Sequence, residues 1–148
     1  MTADPSERIV VRRIFSEADL ERAFAIRRLV FLVEQKVPPE EEFDAEDETA
    51  IHVLAFIGNE AVATGRLIAR ADHARIGRMA VLEDCRGHGV GHAVLQELMR
   101  IAREMRLRKL VLHAQVHAIG FYQSMGFHVV SDVFDEAGIP HRSMERET

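Results

Sequence analysis

The sequence predicts a mixed α/β fold, with α+β character, in which helices flank both faces of a central, mostly antiparallel sheet. Strand-like runs follow one another directly in the middle and at the end of the chain, and such neighbours pair antiparallel. A single glycine-rich turn leads from a strand through a long helix to another strand, the connection that a parallel pair requires. The predicted order is β-α-β-β-β-α-β-α-β-β, and residues 1–148 are expected to form one domain.

The first strand and helix are predicted from local patterns. Residues 9–14 are rich in β-branched side chains and predict a strand. Ser16 is the expected N-cap of the helix, with Asp19 in the acidic position of a capping box. Four side chains recur at helical spacing: Leu20, Phe24, Arg27 and Phe31. The prolines in Val37-Pro38-Pro39 end the helix.

The remaining elements follow in a regular order. Two strands around a Gly58-Asn59-Glu60 turn predict a hairpin, and a third strand leads into the glycines. The amphipathic pattern after them predicts the long helix. The predicted strands are 50–57, 61–70, 75–82 and 109–115, the predicted helices are 89–106 and 117–125, and a last hairpin joins 127–134 to 141–145 through a turn at 136–138.

Composition limits the class of protein. A chain of 148 residues with 47% hydrophobic and 29% charged residues is typical of one globular domain. No apolar run is long enough to span a bilayer, and the polar residues 1–7 do not predict a signal peptide. The single cysteine, Cys85, excludes an internal disulfide and fits a reducing compartment. We therefore expect a cytoplasmic protein without membrane partners.

The charge is unevenly distributed. The net charge is −5, and residues 40–48 hold seven acidic side chains in nine positions. A negative chain argues against duplex nucleic acid as a partner. The acidic run is expected either to be a solvated loop or helix end, or to attract a cationic amine.

The glycines of Arg86-Gly87-His88-Gly89-Val90-Gly91 lie at the start of the long helix. Glycine lets a backbone approach a ligand closely, and the first N–H groups of a helix favour an anion. The segment therefore predicts a phosphate-binding loop, with a plain strand-to-helix turn as the alternative. A Walker A loop is excluded, because His92 and Ala93 follow Gly91 where lysine and a hydroxyl residue are needed. A dinucleotide fingerprint is excluded because position 92 is not glycine.

The loop reads Arg-x-x-Gly-x-Gly and resembles the acyl-CoA pyrophosphate loop of the Gcn5-related N-acetyltransferase (GNAT) superfamily. A second segment, Ala118-Ile119-Gly120-Phe121-Tyr122-Gln123-Ser124-Met125-Gly126-Phe127, is similar to the A-x-x-F-Y-x-x-x-G-F motif of that family. The element order also matches over nearly the whole chain. Further segments resemble the ElaA-like and YjcF-like branch: Phe31-x-x-Glu34-Gln35-x-Val37-Pro38, Gly65-Arg66-Leu67, Leu112-His113-Ala114-Gln115 and Phe134-x-Glu136-Ala137-Gly138-Ile139-Pro140-His141.

The resemblance implies the GNAT fold and binding of acetyl-CoA. The pyrophosphate would bind Arg86 and the backbone of Gly87, His88, Gly89, Val90 and Gly91. The pantetheine arm would pair with Met79, Ala80 and Val81 like an added strand, and one amide at Met79 or Ala80 would polarise the thioester carbonyl. Tyr122, the only tyrosine, would be the general acid for the leaving thiolate and would contact the cofactor.

The general base is left open among several residues. His113 and Gln115 share one face of their strand, so they either line the acceptor cleft or lie in the core. The candidate bases are Glu34, Glu42, Asp44, His52, His113 and His141, of which His113 is preferred. The residues predicted to bind the acceptor are Phe31, Glu34, Glu42, Asp44, His52, Gln115 and His141. No metal is predicted, because the histidine spacings match no known ligand pattern.

The sequence therefore predicts an acetyl-CoA-dependent N-acetyltransferase that acts by direct attack in a ternary complex. The expected acceptor is a primary amine of a small molecule such as a polyamine or amino sugar. A protein or peptide amine is an alternative acceptor, and a non-catalytic acyl-CoA sensor is an alternative function. A monomer or a homodimer is expected.

Overall fold

The computed structural model describes residues 8–148; the prediction that residues 1–7 form no signal peptide lies outside the described residues. The strands are β1 (Ile9–Arg13), β2 (Ile51–Ile57), β3 (Glu60–Ala69), β4 (His73–Val81), β5 (Lys109–Gln115), β6 (His128–Val129), β7 (Phe134–Glu136) and β8 (Ile139–Glu147). The α-helices are α1 (Glu17–Arg27), α2 (Pro39–Glu42), α3 (Val90–Glu104) and α4 (Ile119–Ser124). None of the described helices is long and apolar enough to cross a membrane.

The eight strands form one sheet in the order β1-β2-β3-β4-β5-β8-β6, and β7 also pairs with β8. Every pairing is antiparallel except that of β4 with β5. The parallel pair is the one connected through α3, because a parallel connection must cross the length of the sheet. The predicted mixed fold and its one crossover are confirmed.

Helix α1 begins as predicted, but its capping box is incomplete. The Ser16 hydroxyl accepts a hydrogen bond from the Asp19 backbone N–H at 3.1 Å. The Asp19 carboxylate instead accepts hydrogen bonds from Arg12 and Arg22, at 2.9 and 2.7 Å. The acidic half of the predicted box is therefore wrong, because two nearby guanidinium groups bind the carboxylate more strongly than a backbone N–H can.

A π-helical segment, Arg28–Glu34, continues α1 and was not predicted. Its wider turns shift the side chains that follow α1 relative to the spacing of a regular helix. Phe31 and Val30 are buried within it, and Glu34 lies at its end. The segment stops before Pro38, as the sequence predicts.

Helix α3 packs one face on the sheet. Val94, Leu95 and Leu98 are fully buried, whereas Met105, which the sequence placed on the same stripe, is largely exposed just beyond the helix end. A Cβ at Gly65 of β3 would lie 2.9 Å from both Leu98 Cδ1 and Val94 Cγ1. Glycine at this position therefore allows the helix to approach the sheet closely and fixes the start of α3 over its centre.

The prediction of one continuous strand over residues 127–134 is wrong. β6 pairs with the second half of β8 and β7 with the first half, so the chain leaves the sheet between them. Ser131 occupies that gap, where its hydroxyl accepts a hydrogen bond from the Ser143 backbone N–H at 2.8 Å. The predicted turn is confirmed: Ala137 and Gly138 have φ of 54° and 77°, the left-handed values that a tight hairpin turn needs.

The sheet opens between β4 and β5. Their pairing ends at Ile76 and Leu112, while β5 continues to pair with β8 as far as Gln115. An irregularity against β3 bends β4 at the same point, where Arg78 has a left-handed φ of 50°. Residues 77–81 therefore diverge from β5. We call the resulting opening the wedge.

Candidate active site

The wedge contains a cavity of about 1220 Å³. Its walls come from the end of the π-helical segment, β4 after the bend, the glycine loop, β5, α4 and the β7–β8 hairpin. Nearly all predicted site residues line it; the exceptions are His88, which is exposed on the loop, and His52. The fold thus brings together residues that lie up to about 110 positions apart in sequence.

The glycine loop forms one end of the cavity. Gly87 and Gly89 have φ of 81° and 85°, and Gly89 is the N-cap of α3. The N–H groups of the first helical turn have no partner within the helix, and the helix dipole adds positive potential there. Gly87, Gly89, Val90 and Gly91 all line the cavity. This end can bind an anionic group through backbone donors.

Replacing Gly89 with alanine is expected to weaken acetyl-CoA binding about 10-fold. A Cβ at Gly89 meets nothing within 4 Å, so the effect comes from the left-handed backbone, which costs an L-residue about 1–2 kcal/mol. Relief of that strain would turn the N–H groups away from the anion. Calorimetric titration with acetyl-CoA measures the change. Gly120→Ala is the matched control, since its Cβ also has open space but its φ is not positive; equal affinities in the two variants would contradict this prediction.

Arg86 is engaged by an acidic partner across the cavity. Its guanidinium donates to both carboxylate oxygens of Glu34, at 2.6 and 2.8 Å, and its Nε–H donates to the Val81 carbonyl at 2.9 Å. The hydrogen bonds from Arg86 lower the pKa of Glu34 and raise that of Arg86, so both stay charged. Glu34, predicted as an acceptor contact, thus lies against the loop, and much of the charge of Arg86 is neutralised.

Tyr122 reaches the strand that leaves the sheet. Its hydroxyl donates to the Met79 sulfur at 3.8 Å, and its ring packs edge-on against Phe121 and Phe127. Burial raises the pKa of Tyr122 to about 12. The phenol is therefore protonated at every physiological pH and can donate a hydrogen bond to a sulfur atom placed beside β4.

His113 is held by Glu136, which the sequence placed in a segment similar to the predicted branch but did not predict as a site residue. Its Nδ1 lies 2.9 Å from Glu136 Oε1, and its ring is edge-on to Phe134. The hydrogen bond from His113 lowers the pKa of Glu136, so the carboxylate is ionised and the imidazole Nδ1–H is the donor. Nε2 of the neutral ring is then left as an acceptor. His113 can act as a base with its tautomer fixed by Glu136.

The other predicted polar residues of this wall have partners. His141 Nε2 lies 3.7 Å from Glu136 Oε2, and its Nδ1 lies 2.7 Å from the Ile139 carbonyl. The side chains of Gln115 and Gln35 exchange two hydrogen bonds, at 2.9 and 3.3 Å. These contacts fix β5 against the β7–β8 hairpin and against the residue that follows the π-helical segment.

The acidic run forms an internal cluster with three arginines. Arg27 donates to Glu42 and Asp47, Arg66 donates to Asp44 and Asp47, and Arg78 donates to the Glu42 carbonyl and to Asp44. We call these residues the arginine cluster: Arg27, Arg66, Arg78, Glu42, Asp44 and Asp47. Its three cations balance its three carboxylates.

The predicted solvated loop is wrong for Glu42 and Asp47, which are buried. Burial raises the pKa of Glu42. Burial also opposes ionisation of Asp47, but hydrogen bonds from Arg27 and Arg66 prevail and hold its pKa at about 2. The carboxylates of Glu42, Asp44 and Asp47 are therefore paired within the protein, so these three of the seven acidic side chains give little attraction to a cationic ligand.

Two predicted acceptor contacts are separated by the fold. Phe31 lines the cavity. His52 lies beneath the arginine cluster, where its Nε2 is 2.9 Å from the Asp47 carbonyl and its ring is edge-on to Phe24. Burial lowers the pKa of His52, which favours a neutral ring that supports the cluster. Within residues 8–148, no group of three or more His, Cys, Asp or Glu side chains could hold a metal ion.

The fold and the site define an acetyltransferase. A family model described as an acetyltransferase (GNAT) domain matches residues 25–148. The chain belongs to the GNAT family, as the two sequence motifs predicted.

Several proteins are similar to this chain over most of its length, and YjcF and ElaA, after which the predicted branch is named, are among them. The chain is 39% identical to YyaT of Bacillus subtilis over 140 residues, which cover 93% of this chain and 95% of that protein. It is 34% identical to the N-acetyltransferase YjcF of the same organism, over 89% of this chain and 95% of YjcF. The crystal structure of Escherichia coli ElaA superimposes with a TM-score of 0.84 at 31% identity, over 95% of this chain and 100% of that structure.

Proposed function

We propose that this protein transfers the acetyl group of acetyl-CoA to a primary amine of a small molecule by direct attack in a ternary complex. The observation that supports this proposal is the position of Tyr122, whose hydroxyl lies in the wedge beside the open edge of β4 and donates to the side-chain sulfur of Met79 on that strand. A hydroxyl donor beside this edge suits the departure of a thiolate from a thioester that is held along the same edge.

Acetyl-CoA fits the two ends of the wedge. Its pyrophosphate binds the N–H groups of residues 87–91, and its pantetheine amides pair with the free edge of residues 79–81. An amide N–H of Met79 or Ala80 polarises the thioester carbonyl. The Arg86–Glu34 ion pair lies beside the same strand. Arg86 therefore contributes to acetyl-CoA binding in two ways: its Nε–H holds the Val81 carbonyl, and its charge attracts the pyrophosphate.

His113 is the proposed base, and Tyr122, which the resemblance implies as the general acid, acts here as a hydrogen-bond donor. His113 accepts one proton of the ammonium group through Nε2, directly or through water, and Glu136 stabilises the imidazolium that forms. The neutral amine then attacks the thioester carbon, the C–S bond breaks, and the second proton of the attacking nitrogen passes to the leaving sulfur or to water. Tyr122 donates a hydrogen bond to the leaving sulfur; with its pKa raised to about 12, it stabilises the thiolate without itself becoming ionised.

Replacing Glu136 with glutamine is expected to lower kcat/KM at neutral pH by about 10-fold, because a neutral amide neither fixes the tautomer nor stabilises the imidazolium. Glu145→Gln on β8 is the matched control, because Glu145 lies outside the cavity beside Lys109. Values of kcat/KM that are equal in Glu136→Gln and Glu145→Gln would exclude this role.

The proposed function is tested by measuring CoA release and acetyl-CoA binding side by side. The acceptors are free amino acids, polyamines, amino sugars and short peptides. We expect acetyl-CoA to bind and at least one amine to release CoA well above the rate of hydrolysis. Binding without release for every amine would instead indicate an acyl-CoA sensor. Failure to bind acetyl-CoA would reject both functions.

A further inference from the structure

We propose that the acceptor is a small amine that also carries a carboxylate, and that Arg75 binds this carboxylate while Glu136 and His113 receive the ammonium group. The proposal rests on the proposed function and names the substrate class of the same site. The proposed acceptor differs from the polyamine that the sequence predicted, because that prediction depended mainly on attraction by the acidic run at residues 40–48.

Arg75 is the cavity-lining arginine that no carboxylate contacts within the described part of the chain, although its charge acts on Glu136 from a distance. Arg66, Arg78 and Arg86 all bind carboxylates. Arg75 is half-buried in the cavity wall and forms no hydrogen bond or ion pair with any of residues 8–148. Its N–H groups are therefore left for solvent or for an anionic ligand in the cavity, and a carboxylate is the partner that a guanidinium binds most strongly.

Open space lies next to Arg75 along the same face of β4. Gly77 follows two residues later on that face, and a Cβ there would meet nothing within 4 Å. His113 is the next residue of β5 after the last pair, Ile76 with Leu112, and it faces Gly77 across the point where the two strands begin to separate. A ligand above Gly77 thus lies between two side chains. Arg75 is about 7 Å back along β4, and His113 lies across the opening on β5.

A second donor lies across the strand pair. Arg66 is the partner of Gly77 on β3, and it lines the cavity although its side chain is only 4% exposed. Its Nε is the one buried side-chain polar atom in the described residues that lacks a hydrogen-bond partner. One N–H donor next to Gly77 is therefore without an acceptor within the described residues, and an anionic group bound nearby would be a suitable partner.

The opposite wall carries the complementary charge. Glu136 is ionised, and the charge of Arg75 contributes to its lowered pKa, after the larger effects of His113 and His141. A zwitterion fits this pair of charges, with its carboxylate at Arg75 and its ammonium group at Glu136. The ammonium is then also next to His113, the proposed base.

The test is calorimetry on the protein saturated with CoA, which mimics the cofactor without turnover. The probes are the standard L-amino acids, β-alanine and γ-aminobutyrate, each matched with the amine that lacks its carboxylate, and spermidine. We expect at least one amino acid to bind about 10- to 100-fold more tightly than its decarboxylated partner. Arg75→Gln should remove this difference and Arg75→Lys should restore part of it. Arg103→Gln on α3, the matched charge control outside the cavity, should leave it unchanged.

Three results would overturn the proposal: no amino acid binds, spermidine or a decarboxylated amine binds as tightly as the best amino acid, or the preference survives in Arg75→Gln. CoA release is measured on the same probes. Amino acid binding that depends on Arg75 but gives no CoA release would reject the acetyltransferase function and retain the carboxylate site. Release with spermidine alone would retain the acetyltransferase and reject the site.

Discussion

Replacing Tyr122 with phenylalanine is expected to lower kcat about 100-fold and to leave the affinity for acetyl-CoA nearly unchanged. The hydroxyl acts on the sulfur only as the thiolate leaves, and the loss of one such donor costs about 100-fold in other enzymes. Its contact in the free protein is a weak bond to Met79 Sδ, so the packing of the ring is kept. Steady-state CoA release and calorimetry together separate the two effects.

A second hydroxyl on the same helix provides the control for Tyr122. Ser124 donates to the Phe121 carbonyl, and Ser124→Ala removes a hydroxyl from α4 without touching Met79. Its turnover is expected to match that of the unaltered protein. The pH dependence gives a further check: no alkaline loss of kcat should arise from Tyr122 below about pH 11, given its pKa of about 12. Full turnover in Tyr122→Phe would exclude its role in catalysis.

Replacing Arg27 with methionine is expected to lower the free energy of unfolding by about 3 kcal/mol, because it leaves Glu42 and Asp47 buried with fewer cations. Arg27 is 1% exposed, and its guanidinium lies 5.0 and 4.8 Å from the ring centroids of Phe24 and Phe43, which pack edge-on against each other. For a chain of this size the loss corresponds to a fall in Tm of roughly 10 °C. Denaturant and thermal unfolding measure both quantities.

An exposed arginine provides the comparison for Arg27. Arg100 pairs with Glu97 and Glu104 on the outer face of α3, and such surface pairs contribute about 0–1 kcal/mol. If Arg27→Met were no less stable than Arg100→Met, the arginine cluster would not support the fold.

The dependence of folding stability on pH also has a definite direction at acid pH. Asp47, with its pKa lowered to about 2, contributes stability that is present above about pH 4 and lost as the pH falls through 2.

Local patterns were sufficient to predict the parts of the molecule that local physics determines. The N-cap at Ser16, the stop before Pro38 and the glycine turn at residues 87–91 depend on neighbouring residues only. The element order then predicted the one parallel pair. Tyr122 was found because its motif is contiguous. These features also define the family, which is why the family was predicted correctly.

The parts that sequence could not supply depend on partners distant in the chain. In the sequence, Glu42 is one of seven acidic residues in a run. Its burial depends on Arg27, fifteen residues earlier, and on Arg78, which lies on β4. Glu136 reads as part of a turn, and its role comes from the hairpin register that sets it against His113, 23 residues earlier. Nothing in the local pattern distinguishes these two glutamates from their exposed neighbours.

The wedge also has a consequence for how the protein unfolds. Direct strand pairing between β1–β4 and β5–β8 is limited to the four residue pairs from His73–Lys109 to Ile76–Leu112, so the two halves of the sheet are weakly joined through the backbone. Partial opening along this line costs less than global unfolding. A ligand that hydrogen-bonds along β4 in the wedge couples the halves, and at about 100 times its Kd it adds about 2.7 kcal/mol to stability. If acetyl-CoA binds as proposed, it would make the two halves of the sheet unfold more nearly as one unit.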